Sequence, residues 1–236
     1  MKVLRALLLA TCLILSSTSL NAGVNKNHQK ALAATFVLYG RSAAREVDHH
    51  ALCTAFAYKK VSDGYLLLTE GHCFEDAPED ATYLVANGQI VPEPKNLEPV
   101  EVLNHVDDGK MDVAELHLKT NKEYPVLELD NVPTQIDDQV FYVGYPVMVS
   151  QLVYTGRVGS NVIENNPREC DICIGRILVQ SGGGPGASGS PVISEKTGKV
   201  VGILEGHVFE NGIIVVPSTK IHYYYLKEGH ENHSKN

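Results

Sequence analysis

Apolar residues in this chain fall in short runs separated every few positions by turn formers. Stretches rich in Val, Ile, Leu, Thr and Tyr cover Thr35–Tyr39, Cys53–Tyr58, Tyr65–Thr69, Thr82–Ala86, Val113–Leu118 and Val140–Val143. They recur over Leu152–Val158, Ile174–Gln180, Pro191–Ser194, Val200–Leu204 and Ile213–Val216. Their length and their β-branched and aromatic content predict strands. Ser62-Asp63-Gly64, Asn87-Gly88, Lys196-Thr197-Gly198 and Asn211-Gly212 predict hairpin turns, because glycine or asparagine accepts the positive φ such turns demand. One amphipathic helix is predicted from Ser218 to about Leu226, with Ser218 or Thr219 as its N-cap. The polar end, Glu228 to Asn236, is expected to fray. Asn121–Gln139, with two prolines and few periodic positions, is the best crossing between two halves. Many short strands and one terminal helix indicate an all-β sandwich or barrel.

The N-terminus stands apart from this pattern. Lys2 and Arg5 precede a ten-residue apolar run, Ala6 to Leu15, and polar Ser16 to Ser19 leads to Ala22. That layout predicts a secretory signal peptide over residues 1–22, although Leu20 is larger than the small residue preferred near the cut. A membrane span needs about 20 apolar residues, so no membrane anchor is expected. Lipidation at Cys12 is disfavoured because the apolar run continues past it. Residues 23–236 then form one domain, with halves at about 32–122 and 133–217 and the helix at 218–226.

Charge narrows the partners. With 20 basic and 28 acidic residues the net charge is −8, and loss of the leader removes two more basic groups. Such a surface argues against nucleic acid or an anionic membrane as partner. Processing leaves four of the five cysteines, Cys53, Cys73, Cys170 and Cys173. An even number in an exported chain suggests disulfides.

Three segments carry candidate chemistry. Gly182-Gly183-Gly184-Pro185 leads into Gly186-Ala187-Ser188-Gly189-Ser190-Pro191. An acyl-transfer serine needs a tight turn whose backbone N–H groups face a developing oxyanion, and Gly186 and Ser188 would supply those donors. A plain flexible loop is the alternative for this segment taken alone. It is not a phosphate-binding loop, which needs a lysine beside the final Ser or Thr. Nor is it a G-x-S-x-G elbow, because Ser190 stands at the last glycine. Leu67-Leu68-Thr69-Glu70-Gly71-His72-Cys73 ends a strand on a histidine flanked by cysteine, which places a base at a fixed point. A Cys53–Cys73 disulfide would staple the adjoining strands. Met111-Asp112-Val113-Ala114-Glu115-Leu116 places an aspartate at the head of an alternating strand, where it can orient an imidazole. Asp107 and Asp108 are rivals, and Asp112 is favoured because the apolar strand begins directly after it.

The order His72, Asp112, Ser188, with the strings Leu-Thr-x-Gly-His-Cys, Asp-Val-Ala-x-Leu and Gly-x-Ser-Gly-x-Pro, resembles the chymotrypsin-like serine protease superfamily. Phe141–Pro146, Thr155–Val158 and Gly212–Ser218 look like segments of HtrA-type and glutamyl-endopeptidase-type members. The resemblance spans roughly Leu32 to Leu226. It implies two six-stranded antiparallel β-barrels, with His72 and Asp112 from the first, Ser188 from the second and the triad in the cleft between. It further implies a monomeric serine endopeptidase acting on protein or peptide substrates through an acyl-enzyme, with no metal or organic cofactor. There are departures. Ala187 replaces the aspartate with which digestive members bind a new N-terminus, so activation by that ion pair is not expected. Glu70 stands where those members have a small residue. No room is left after the terminal helix for the PDZ domain of HtrA-type enzymes.

Gly182 falls where trypsin-like members carry a pocket-floor aspartate, and Leu204 where glutamyl endopeptidases carry a histidine. Neither basic nor acidic P1 preference is therefore expected, and small or apolar P1 residues are favoured. Glu205 and His207 lie near the expected substrate-binding strand and either tune selection or are ordinary surface residues. Cys170-x-x-Cys173 is read first as a local disulfide, ahead of free thiols or a metal site. His49-His50 is read as a solvated strand end. Two rival functions are a catalytically inactive, protease-like binding protein and an α/β-hydrolase using Ser188, Glu205 and His222. The second needs alternating strands and helices, which the pattern does not supply.

Overall fold

The computed structural model describes residues 25–41, 50–75, 80–88, 96–108, 111–148, 150–160, 175–208 and 211–222. The signal peptide, His49, Cys170 and Cys173 lie outside the described residues.

Twelve strands form two closed barrels. The first contains β1 (Thr35–Arg41), β2 (His50–Val61), β3 (Gly64–Thr69), β4 (Thr82–Asn87), β5 (Glu98–Asp107) and β6 (Asp112–Lys119), in the order β1-β2-β3-β6-β5-β4. The second contains β7 (Gln139–Gly144), β8 (Leu152–Ser160), β9 (Ile177–Gln180), β10 (Pro191–Ser194), β11 (Val200–Val208) and β12 (Gly212–Pro217), in the order β10-β11-β12-β9-β8-β7. All these pairings are antiparallel. This is the chymotrypsin-like architecture that the resemblance implies. Alternating strands and helices are not what the chain forms, so the α/β-hydrolase reading is set aside.

Each predicted strand overlaps one observed strand, and β5 is the addition. Its outward positions, Pro99, Glu101, Leu103, His105 and Asp107, are exposed in regular alternation, and only Val100 on its inner face is buried. Helix α1 (Lys26–Ala34) is likewise unpredicted. Asn25 caps it by accepting from the Asn27 amide at 3.0 Å, and it buries little beyond Ala31 and Ala34. His28 fixes it to the second barrel by packing on Phe141, with ring centroids 4.1 Å apart, and by pairing with Glu195 at 2.9 Å.

The C-terminal helix differs from expectation at its start. Helical backbone runs over Ser218–Lys220, and residues 223–226 lie outside the described residues. The predicted cap at Ser218 or Thr219 does not form. Pro217 occupies the N-cap position, and the Ser218 hydroxyl donates instead to the Asp130 carbonyl at 2.6 Å. No described helix is long and apolar enough to cross a membrane.

Each barrel has its own apolar interior, around Phe36, Leu38, Leu67 and Leu116 in the first and Tyr142, Val179, Leu204 and Val215 in the second. A third cluster joins them. Phe56, Leu68, Met111 and Val113 pack with Phe141, Val143, Ile203 and Val216, together with Leu127 of the connecting segment. That segment is bonded to both sides: the Leu127 amide donates to the Ala57 carbonyl at 2.9 Å, and the Asp130 amide to the Val200 carbonyl at 2.7 Å. Hydrophobic burial therefore continues from one barrel to the other and fixes the two against each other.

Candidate active site

His72 lies in a single 3-10 turn, Gly71–Phe74, directly after β3. Two contacts hold this turn. Cys73 is joined by a disulfide to Cys53 on β2, a link worth about 2–4 kcal/mol when it closes a loop of this kind. Gly71 packs so closely on β5 that a Cβ there would lie 2.3 Å from the Val106 carbonyl oxygen.

Asp112 opens β6 and is buried, 4% exposed. Its Oδ2 lies 2.6 Å from His72 Nδ1, and its Oδ1 accepts the His72 amide at 2.9 Å. The carboxylate thus holds both the ring and the backbone of the histidine. The rivals are engaged elsewhere. Asp108 Oδ1 accepts the Met111 amide at 2.8 Å, and Asp107 pairs across the strand ends with Asp112. Burial pushes the imidazole down, but the hydrogen bond and charge of Asp112, helped by Asp107 and Glu205, outweigh it and raise His72 above its ordinary value of 6.5.

Ser188 sits in the turn before β10, and the first barrel reaches across to fix it. The Thr54 amide on β2 donates to the Ser188 carbonyl at 2.8 Å, and Thr54 Oγ1 donates to the Gly186 carbonyl at 2.9 Å. The Thr54 carbonyl in turn accepts the Thr69 hydroxyl at 2.7 Å, three residues before His72. Gly189 has φ +86°, and a Cβ there would lie 1.9 Å from the Thr54 carbonyl oxygen. Only glycine allows the loop to close on β2 in this way. The Ser188 hydroxyl donates to the Glu205 carbonyl at 3.0 Å, and no hydrogen bond joins it to His72. Catalytic hydrogen bonds are often long in an unliganded site and tighten with substrate.

Among the described residues the loop also leaves backbone amides unpaired. Gly186 has φ +90°, and the Ala187 amide turns back onto the Gly184 carbonyl at 3.1 Å. The amides of Gly186 and Ser188 donate to nothing among the described residues. Ala187 is fully buried in the core of the second barrel. Apolar packing therefore anchors the loop at the position where digestive members use an aspartate.

Residues 53–203 match the trypsin-like peptidase domain. The chain belongs to that family. No curated protein matches it significantly. Among solved structures it is similar to a serine-to-alanine mutant of Rv3671c from M. tuberculosis H37Rv in an inactive form, at 16% identity and a TM-score of 0.64, over 90% of this chain and 95% of that one. A second structure of inactive Rv3671c protease gives 16% and 0.63, over 87% and 93%. The serine endoprotease from Yersinia pestis gives 20% and 0.64, over 89% of this chain and 69% of its own. At these identities the likeness is one of fold.

Within this trypsin-like domain the predicted pocket residues occupy distinct places. The Gly182 carbonyl accepts the Tyr142 hydroxyl at 2.9 Å, and Tyr142 stacks on Tyr154 with centroids 5.0 Å apart. A Cβ at Gly182 would lie 3.2 Å from the Tyr154 ring. His207 is exposed and lies over Gly183, with Cε1 2.2 Å from where a Cβ would stand. Glu205 points inward instead, paired with Arg176, whose side chain is 1% exposed. Arg176 Nη2 donates to Glu205 Oε1 at 3.2 Å, and a second, shorter contact runs from Nε to Oε2. The importance of Arg176 escaped the sequence, because an arginine in a predicted strand gives no sign that its guanidinium will be buried.

Among the described residues, two groups of side chains have metal-binding spacing, Cys53-His72-Cys73 and Glu70-His72-Asp112. The sulfurs of the first are spent in the disulfide, and both Asp112 oxygens of the second are taken by His72. Neither group is a free ligand set.

Proposed function

We propose that this trypsin-like peptidase is an exported serine endopeptidase in which Ser188 is the nucleophile, His72 the general base and acid, and Asp112 the residue that orients the imidazole. One observation carries the reading: a buried Asp112 grips His72 through ring and amide, while Thr54 of the same barrel holds the Ser188 loop, two amides of which find no acceptor among the described residues. Asp112 fixes the tautomer with Nδ1 protonated, which leaves Nε2 to take the Ser188 proton as the oxygen attacks a peptide carbonyl. The Gly186 and Ser188 amides receive the oxyanion. His72 then protonates the leaving amine, and water repeats the cycle on the acyl-enzyme. A disulfide suits an oxidising compartment, and together with the leader expected from the sequence of residues 1–22 it supports export.

Labelling by a fluorophosphonate probe tests the reading. The parent should label and Ser188→Ala should not. An unlabelled parent would turn the reading toward a protease-like binding protein.

The histidine sets the acid side of the rate profile. It acts as a base only when neutral, and its value is raised above 6.5. The acid limb of kcat/KM is therefore expected to have its midpoint above pH 6.5, read from hydrolysis of a peptide substrate across pH. A midpoint below 6.5 contradicts this.

For specificity, we propose small or apolar P1 residues. Gly182 is backed by two stacked tyrosines, and Glu205, the acid among the candidate pocket residues, is paired with buried Arg176. A cleavage profile of a peptide library should show little Arg, Lys, Asp or Glu at P1. A profile dominated by any of these refutes it.

A further inference from the structure

Glu70 stands between the end of β3 and the turn that carries His72. It is 0% exposed, and neither of its carboxylate oxygens meets a hydrogen-bond donor. An ionised carboxylate left in that state would bear its full desolvation cost with nothing to offset it. Its neighbour is Asp112: an oxygen of each carboxyl and a ring nitrogen of His72 lie within 4.8 Å of one another.

Two carboxylates hydrogen-bond only if one of them carries a proton. Asp112 is the one able to stay charged, because it receives the His72 amide and faces Nδ1. Glu70 has no such compensation. The other charged groups that face it are Glu205 on β11, which adds negative charge, and Arg176, whose guanidinium is already paired with Glu205. Burial first, then the charges of Asp112 and Glu205, push the Glu70 carboxyl well above the usual carboxylate range, and Arg176 only partly opposes them. A proton on Glu70 turns one of its two orphaned oxygens into a donor for the neighbouring Asp112 carboxylate.

We propose that Glu70 is a positioning residue, held as a neutral carboxylic acid at neutral pH, whose O–H donates to the Asp112 carboxylate and keeps it set against His72. The proposal rests on the triad reading above. It gives Asp112 a third donor besides the two of His72, and a carboxylate so held cannot rotate away as the imidazole gains and loses its proton. It also accounts for a glutamate where digestive members have a small residue.

Two variants and one spectrum test it. Glu70→Gln keeps the shape and a donor without an ionisable proton, whereas Glu70→Leu fills the space and donates nothing. A hydrogen bond to a charged group is worth about 1.5–3 kcal/mol, so Glu70→Leu is expected to lower kcat about 10- to 100-fold with KM little moved. Glu70→Gln should recover at least tenfold of that loss. In the Ser188→Ala protein at neutral pH, the infrared spectrum should contain the carbonyl stretch of a protonated carboxylic acid, and adding Glu70→Gln should remove it. Absence of that band overturns the proposal, as does a glutamine variant no better than leucine, or a leucine variant with full kcat. If Glu70→Leu does not fold, the infrared pair still decides. If the parent fails to label at Ser188, the triad reading fails, and the band alone decides whether Glu70 is neutral.

Discussion

Ser188→Ala is expected to lower kcat/KM on a peptide substrate by about 10⁶-fold. The substitution removes one oxygen and little else. The Ser188 carbonyl still accepts the Thr54 amide, Gly189 still donates to the Leu204 carbonyl at 2.8 Å, and the buried Ala187 side chain is untouched. The lost hydroxyl contacts only the Glu205 carbonyl, in a half-buried place open to the groove. Stability should therefore change by no more than about 0.5 kcal/mol. A large loss of rate with an unchanged melting curve marks a residue that acts in the reaction and not in the fold. What remains should be the weak hydrolysis that oxyanion donors and substrate positioning supply without a nucleophile, about 10³-fold over water. A variant that keeps activity within tenfold of the parent shows that another group attacks the substrate.

The fold was readable because its strands are short, rich in β-branched residues and separated by turn glycines. Where reading failed, the cause is visible. β5 carries Glu98, Glu101, Asn104, His105 and Asp107 among its valines, and polar Glu98 and Asn104 stand on its inner face, so the apolar alternation that marks a strand is missing from the sequence. Helix α1 has almost no apolar stripe, since its role is to set two alanines against the inter-barrel core while His28 covers Phe141. The Ser218 hydroxyl left the cap role because the Asp130 carbonyl, brought near by the connecting segment, offered a buried acceptor. Side-chain chemistry in sequence predicts local partners well, and tertiary partners displace them.

The same division holds in the site. The segments around His72, Asp112 and Ser188 were visible as strings, because the proposed base, orienting carboxylate and nucleophile each need a particular backbone setting. The charges beneath them were not. In the sequence Glu70 stands out only as a departure from the small residue of digestive members, Glu205 reads as a tuner of selection or an ordinary surface residue, and Arg176 has no assigned role, yet all three are withdrawn from solvent within reach of Asp112 or one another. Burial is decided by how two barrels close on each other, and no local pattern records it. Glu205 shows the consequence: burial raises its carboxyl and Arg176 opposes the shift, so a residue read as a candidate for selecting substrate faces the interior.

Asp112→Asn is expected to lower kcat by about 10⁴-fold while leaving the fold intact. An asparagine retains the oxygen that accepts the His72 amide, so the turn stays in place. Its amide group then meets Nδ1 as a donor, and the ring must put its own proton on Nε2, the atom that has to receive the one from Ser188. The charge that stabilises the imidazolium is lost at the same moment. That second loss has its own signature. Asp112 supplies the leading contributions that raise His72 against burial, so without it the imidazole falls and the acid limb moves to lower pH even as the plateau drops. Glu70 responds in the same experiment. Asp112 is the largest neighbouring charge opposing its ionisation, so the Glu70 carboxyl should become easier to ionise in the variant, although burial still holds it up. A pH–rate profile of Asp112→Asn reads both the plateau and the limb. A loss under tenfold, or a limb that stays with the parent's, would show that the 2.6 Å contact between Asp112 and His72 does not set the chemistry of this site.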